Sequence, residues 1–368
     1  MAVTWRLTAR DGRARAGRLD TPHGPVETPA FMAVGTRGAV KTVDPEDLGR
    51  LGAEILLANA YHLMQRPGAE VVAELGGIQR FMGWDRPVLT DSGGYQVLSL
   101  APEVGEEGLV FRSSYDGRPV FLDPEGALGV QETLGSDVAM ALDVPVALPA
   151  PRDLVEAAME RTLRWAARTI AARRRGDRAV FGIVQGGVDR ELRARSAAAT
   201  AALGFEGYGI GGLAVGETPT ERLAALRATI PELPTEAPRY VMGLGDPEGL
   251  LDAIGEGVDL FDCVLPTRLA RHGKALTTRG DLSIRRAEFA RDDGPLDPDC
   301  ACPTCRHHSR GYLRHLTVVK DPTGRRLLTL HNLAYVYGLL AGAREAIRRG
   351  VFEEYRRRIV ARRAGRVD

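Results

Sequence analysis

Eight short apolar runs separated by segments that carry helix-start signals limit the possible folds of this chain more than any other feature. The runs are Phe31 to Val34, Ile55 to Ala60, Val88 to Thr90, Val138 to Leu142, Val180 to Val184, Tyr208 to Val215, Tyr240 to Leu244 and Leu260 to Leu265. Between them stand Asp44-Pro45-Glu46-Asp47, Asp123-Pro124-Glu125, Pro151-Arg152-Asp153, Thr218-Pro219-Thr220-Glu221 and Asp246-Pro247-Glu248. A capping side chain before a proline is how helices begin. With a last helix starting near His331, this makes eight strand–helix units, the pattern of a (β/α)8 TIM barrel, an α/β fold. An open doubly wound sheet is the structural competitor.

In such a barrel the active site lies at the C-terminal ends of the strands, and several runs end in polar or glycine-rich signals. Thr90 leads into Asp91-Ser92-Gly93-Gly94-Tyr95-Gln96, Leu142 into Asp143, and Val184 into Gln185-Gly186-Gly187. Ile210 leads into Gly211-Gly212-Leu213-Ala214-Val215-Gly216-Glu217, Val241 into Met242-Gly243, and Phe261 into Asp262. Three aspartates on one face can divide the work of nucleophile, general acid/base and recognition element. Their bland alternative is helix capping at strand–helix turns. Paired glycines allow close backbone approach to a flat ligand or simply form tight turns. Tyr95 and Met242 can sandwich a planar ring or pack as core. No Gly-x-Gly-x-x-Gly follows a strand, which speaks against a dinucleotide enzyme.

Asp262 is the most telling of the three, because it is ionisable and sits inside an apolar run. That run empties into a cationic loop with Arg268, Arg271, His272 and Lys274. A carboxylate facing a cationic rim suits an anionic substrate, although pairing with Arg268 is the simpler reading.

The interval from Leu265 to His331 is far longer than an ordinary strand–helix loop, and it holds three of the chain's four cysteines, Cys300, Cys302 and Cys305. Three thiols so close together point to a structural metal, zinc, rather than a disulfide framework. Spacing leaves the fourth ligand open among His307, His308, His315 and His331. The chain divides into an N-terminal hairpin region (1–30), the barrel strands with their catalytic loops (31–266), a zinc-binding insertion (267–330), and a last barrel helix with a basic C-terminal helix (331–368). Among the 368 residues, 44% are hydrophobic and the net charge is +1. There is no run of membrane-spanning length and no signal-peptide core, so the cytoplasm is the expected location.

Taken together, these motifs resemble those of the bacterial tRNA-guanine transglycosylases, or queuine tRNA-ribosyltransferases. The resemblance rests on Asn59-Ala60-Tyr61-His62-Leu63, Arg66-Pro67-Gly68, Thr90 to Gln96, Leu134 to Asp137, Val184 to Gly187, Gly211 to Glu217, Phe261 to Arg268, and the cysteine cluster with His331-Asn332-Leu333. It covers nearly the whole length.

The resemblance implies a pentosyltransferase that exchanges the wobble guanine of U-G-U anticodon tRNAs (Asn, Asp, His, Tyr) for the queuosine precursor preQ1. Asp262 would be the nucleophile that forms a covalent ribosyl intermediate, and Asp91 the general acid/base. Asp143 would bind the N–H donors of the base edge, Gln185 and the backbone N–H of Gly212 its carbonyl, and Tyr95 with Met242 its faces. The carbonyl of Leu213 would meet the preQ1 ammonium, and Val215 would close the pocket to the larger queuine. His331 becomes the fourth zinc ligand, and Arg268, Arg271 and Lys274 become candidate contacts to the anticodon stem-loop. A homodimer is expected. The chain departs from the family at Val144-Pro145, where a Glu-Cys pair is usual. The archaeal type is disfavoured by the end of the chain at Asp368, and an inactive tRNA-binding subunit by the retention of all three aspartates. A hydrolase with catalytic zinc would need an open metal position near those aspartates.

Overall fold

The computed structural model describes residues 3–98, 100 and 102–366; residues 1–2 of the expected N-terminal region and 367–368 of the C-terminal one lie outside them. Eight parallel strands close into a barrel: Ala30–Gly35, Leu56–Asn59, Val88–Asp91, Val138–Met140, Ala179–Val184, Gly207–Ile210, Arg239–Val241 and Leu260–Cys263. Each pairs with the next in sequence, and the eighth closes on the first, with Leu260 opposite Ala30 and Cys263 opposite Ala33. The α/β barrel class is thus the observed one.

The strands sort their side chains with a period of two. Met32, Leu57, Leu89, Met140, Phe181, Ile183, Tyr240 and Leu260 fill the barrel interior. Their neighbours Phe31, Leu56, Val88, Ala139, Val180, Val241 and Phe261 face the surrounding helices. Asp91, Gln185 and Asp262 each lie two residues beyond an interior residue, namely Leu89, Ile183 and Leu260. The same alternation that fills the barrel therefore directs these polar groups to its open C-terminal end.

The helix-start signals work as the sequence suggests. Asp44 and Thr218 each form a capping box, while Asp123 and Asp246 accept from the backbone of the first turn. The same Asp-Pro device, Asp321-Pro322, opens the last barrel helix, which runs Pro322–Arg348. The helix therefore begins before the expected start near His331, and that residue lies in its interior.

Three other details differ from the sequence reading. Residues 4–28 form a three-stranded antiparallel sheet rather than a hairpin: Thr4–Asp11, Ala14–Thr21 and Gly24–Thr28. This sheet closes the bottom of the barrel, where Leu19 and Val26 join the interior cluster. Another small sheet, Glu103–Val104, Leu109–Arg112 and Pro119–Leu122, stands between the third and fourth barrel strands. It packs against the helix Arg152–Ala172, whose Trp165 Nε1 donates to the Glu106 carbonyl at 2.7 Å. The apolar runs 208–215 and 260–265 are also longer than their strands. The first stops at Ile210 and yields to a glycine loop, and the second gives way to a helix, Leu265–Arg271.

Candidate active site and metal centre

The C-terminal ends of the strands surround a cavity of about 280 Å3. Asp91, Asp143 and Asp262 line it together with Tyr95 and Met242.

Asp262 ends the inward face of the eighth strand. Its Oδ1 accepts from the Tyr240 hydroxyl at 2.6 Å and from the Gly243 N–H at 2.8 Å. Oδ2 accepts from none of the described residues. Burial raises its pKa, and the two donors pull it back. Sequence reasoning missed Tyr240, although its position in phase with interior Leu260, one strand away, is a signal once the pairing Tyr240 to Leu260 is known.

Asp91 accepts from Asn59 Nδ2 at 2.6 Å, the Ala60 N–H at 3.0 Å and the Gly93 N–H at 3.2 Å. Burial, reinforced by Asp262 and Asp143 nearby, pushes its pKa up to about 7. Asn59 was recognised only as part of a motif. It ends the second strand, caps the following helix through His62 N–H, and spends its amide on Asp91.

Asp143 is 4% exposed and accepts from Gln185 Nε2 at 2.7 Å. Burial lifts its pKa to about 6, against the pull of Gln185 and the Ser92 hydroxyl. Gln185 stands behind the cavity wall, pressed against the glycine loop. A Cβ on Gly212 would lie 2.4 Å from Gln185 Oε1, and the φ of +64° is one that side chains avoid. Glycine at 212 is therefore dictated by space as well as by backbone conformation.

The loop continues through Leu213, which lines the cavity, to Ala214 and Val215, which do so as well. Ala214 has a left-handed φ of +59°. Glu217, whose side chain is fully buried, holds the loop by accepting from the Ala214 N–H at 2.7 Å and the Val215 N–H at 3.0 Å. No role was read for Glu217 in the sequence. Of the departing pair, Pro145 lines the cavity, while Val144 is buried and donates its N–H to Thr162. Cys263 also lines the cavity, and its thiol is pushed up to about 11, chiefly by burial. It is a neutral thiol at pH 7.

Arg268 reaches the same cavity from the helix Leu265–Arg271. Arg271 donates to Thr267 Oγ1 at 3.1 Å, and Lys274 opens a short hairpin, Lys274–Thr277 with Gly280–Ser283. None of the three basic side chains has a carboxylate within 4.0 Å among the described residues.

Cys300, Cys302, Cys305 and His331 converge so that their ligand atoms lie within 4.8 Å of one another. This set can hold a metal ion. His331 Nδ1 is 3.6 Å from Cys302 Sγ and 3.3 Å from Cys305 Sγ. Its Nε2 donates to the Leu276 carbonyl at 2.8 Å, which leaves Nδ1 free for ligation. His307, His308 and His315 stand outside the set. The adjacent Asn332 donates to the Pro266 and Lys274 carbonyls and accepts from the Leu276 N–H. One helical turn thus holds both the metal pocket and the backbone that carries the cationic rim.

No helix among the described residues is long and apolar enough to cross a membrane. The profile of the queuine tRNA-ribosyltransferase family matches residues 11–365. The chain is 53% identical over 357 residues to a queuine tRNA-ribosyltransferase of Moorella thermoacetica, covering 96% of each protein. It is 50% identical over 364 residues to a protein of that name from Thermus thermophilus, covering 98% of this chain and 94% of the relative. Identity is also 50% over 366 residues to that of Desulforudis audaxviator, covering 98% of both. With a barrel of this topology and such likeness along nearly its full length, the chain belongs to the queuine tRNA-ribosyltransferase family.

Proposed function

We propose that this chain, a pentosyltransferase by family, replaces the wobble guanine of U-G-U anticodon tRNAs with preQ1 through a covalent intermediate on Asp262. The observation that carries the proposal is the state of the three aspartates. They ring one cavity, and among the described residues only neutral groups donate to them and one oxygen of Asp262 accepts nothing.

In the proposed reaction Asp262 attacks the ribose anomeric carbon as the bond to guanine breaks, so the ribose passes to the carboxylate. Asp91, with a pKa near neutrality, gives a proton to the leaving base and later takes one from the incoming base. The second base attacks the same carbon and releases Asp262. Asp143 in its ionised form accepts from the adjacent N–H donors of the base edge, since a carboxylate offers two acceptor oxygens. The carbonyl of the base would take donors from Gln185 and Gly212, which requires the second amide hydrogen of Gln185 or a turn of its side chain. Tyr95 and Met242 would stack on the ring, the Leu213 carbonyl would accept from the preQ1 ammonium, and Val215 would bound the pocket. Arg268, Arg271 and Lys274 would contact the anticodon stem-loop.

The metal in this reading is zinc, held by three thiolates and His331 Nδ1. Three sulfurs and a buried imidazole suit that ion, and a closed set of four leaves no position for chemistry. A homodimer in the cytoplasm completes the proposal.

The test supplies labelled guanine and a tRNA with a U-G-U anticodon loop to the parent and to Asp262→Asn. Label should enter tRNA with the parent alone, the variant falling by about four orders of magnitude or more. If neither incorporates label while both bind the tRNA, the chain is a binding subunit. Repeating the exchange with preQ1 and with queuine tests the pocket.

A further inference from the structure

A second group of cations stands on the same rim, beyond the first and second strands rather than in the loop that follows Asp262. Arg37 lies just beyond the first strand, three residues after Val34, which lines the cavity. Arg66 caps the helix Ala60–Gln65, whose first residue donates its N–H to Asp91. Both guanidinium groups lie over one ring, that of Tyr115, at 5.5 and 5.2 Å from its centroid. Tyr115 lies in the turn between the second and third strands of the small antiparallel sheet that the sequence did not reveal, and its hydroxyl is 3.0 Å from His62 Nδ1. The loop is fixed in turn by Tyr61, whose hydroxyl accepts from the Ser114 N–H at 3.2 Å and bonds the Ser114 hydroxyl at 2.8 Å.

The balance of charge at this rim is unusual for the protein. Elsewhere its arginines mostly find carboxylates, as in Arg152 with Asp189, Arg168 with Glu125 and Arg363 with Glu248. Arg37, Lys41 and Arg66 have no carboxylate within 4.0 Å among the described residues. All three are exposed. Burial, then Arg37 and Lys41, lowers the pKa of the His62 imidazole, so that ring adds no charge at pH 7, and Arg66 joins Arg37 over the Tyr115 ring. Like charges held together without counter-ions repel, and the Tyr115 ring preorganises the two guanidinium groups rather than neutralising them. A polyanion laid across the rim removes that repulsion and releases its own counter-ions.

We propose that Arg37 and Arg66, ordered by Tyr115, form with the neighbouring Lys41 a second phosphate-binding patch that holds the tRNA strand on the Asp91 side of the extruded nucleotide. The proposal rests on the base-exchange reading and extends it. Arg268 lies beyond the eighth strand, and the new patch lies beyond the first and second. Because the eighth strand pairs with the first and the first with the second, these cations make one continuous arc of rim beside the cavity, a track along which the phosphates next to an extruded base can lie.

The experiment measures binding of a fluorescent U-G-U anticodon stem-loop by anisotropy over a range of salt concentrations. In Arg37→Ala/Arg66→Ala the dissociation constant should rise about tenfold at moderate salt, and the slope of log affinity against log salt should fall by about 1.4. Tyr115→Leu keeps the charges but loses their order, so affinity should drop with the slope preserved. The larger part of the kinetic loss should fall on KM for tRNA. Arg349→Ala, at the opposite end of the barrel beside Arg348 and its partner Glu27, is the charge control and should leave the slope unchanged. Circular dichroism verifies the fold of each variant. Unchanged affinity and slope in the double variant, with parent exchange intact, overturns the patch and spares the function. A change of oligomeric mass in sedimentation, without a change in RNA binding, overturns it in favour of a contact between copies. A parent that neither binds nor exchanges refutes the underlying function and this patch with it.

Discussion

Both ends of the barrel bury aspartates, and they treat them in opposite ways. At the bottom, Asp259 lies just before the eighth strand, fully buried, and Arg15 from the N-terminal sheet grips both its oxygens. The Arg239 N–H donates to the same carboxylate, while Arg15 also satisfies the Thr235 and Ala237 carbonyls. Asp137, also at the bottom, is held by His23, Gln79 and the Val88 N–H, with the Arg178 guanidinium 3.8 Å away. At the top, Asp91, Asp143 and Asp262 receive amides, hydroxyls and backbone N–H groups, but no cation among the described residues. A charge that only has to be stable is paired with an opposite charge. A charge that has to change state during a reaction is solvated by neutral dipoles, which hold it in place without fixing its ionisation.

That contrast can be broken at either end. Asp91→Asn should lower kcat for base exchange by 10²- to 10⁴-fold, about the range for removal of a general acid/base, yet it should not unfold the protein. The sign of its stability effect follows from linkage. The folded pKa of about 7 lies above the value of about 3.9 in the unfolded chain, so the folded state keeps its proton to higher pH. The parent therefore loses stability as pH rises through that window, and the asparagine variant does not. Melting curves should place the variant above the parent at pH 8, with the gap closing as pH falls toward 4. Asp259→Asn tests the other end. It strands Arg15 in the interior and should cost about 3–5 kcal/mol in denaturant unfolding, while any protein that still folds exchanges base at a near-parental rate.

A smaller effect sharpens the view of the top. Activity should follow a bell in pH, rising as Asp143 ionises near 6 and falling as Asp91 loses its proton near 7. A profile of kcat/KM that stays flat between 5 and 8 would separate these groups from the chemistry. The smallest effect expected is that of Tyr240→Phe, which removes one of two donors to Asp262 and should slow exchange about tenfold, close to the worth of one hydrogen bond to a charged group.

The top of the barrel was far more legible in the sequence than the bottom. All eight strands are visible because each is a buried parallel strand, and such strands read as unbroken apolar runs. Asp91, Asp143 and Asp262 stand out because an ionisable residue breaks or ends a run. Arg15 and Asp259, 244 positions apart, form a pair that no local pattern announces, since their meeting depends on how the N-terminal sheet docks. Tyr240 looked like an ordinary interior residue because its ring is one, and only the hydroxyl reaches Asp262. The sheet over 103–122 escaped notice because its strands are short and partly exposed. The start of the last helix at Pro322 was readable, since Asp321-Pro322 repeats a signal that opens three other helices. Gln185 is the instructive intermediate case. Its place at the end of the fifth strand follows from phase, but its attachment to Asp143 depends on how closely Gly211 and Gly212 let the loop approach.

The closure of the eighth strand on the first also dictates an order of events during synthesis. Ala30 emerges early, but its partner Leu260 and the residues that complete the ring come only after more than two thirds of the chain has been made. Until then the first strand is an unpaired edge, the kind of edge that invites wrong partners. The four residues able to hold a metal ion come later still, from Cys300 to His331. The closed ring of strands and the cationic rim are therefore assembled in the last steps of manufacture, and a ribosome stalled before residue 260 releases a chain whose barrel cannot close.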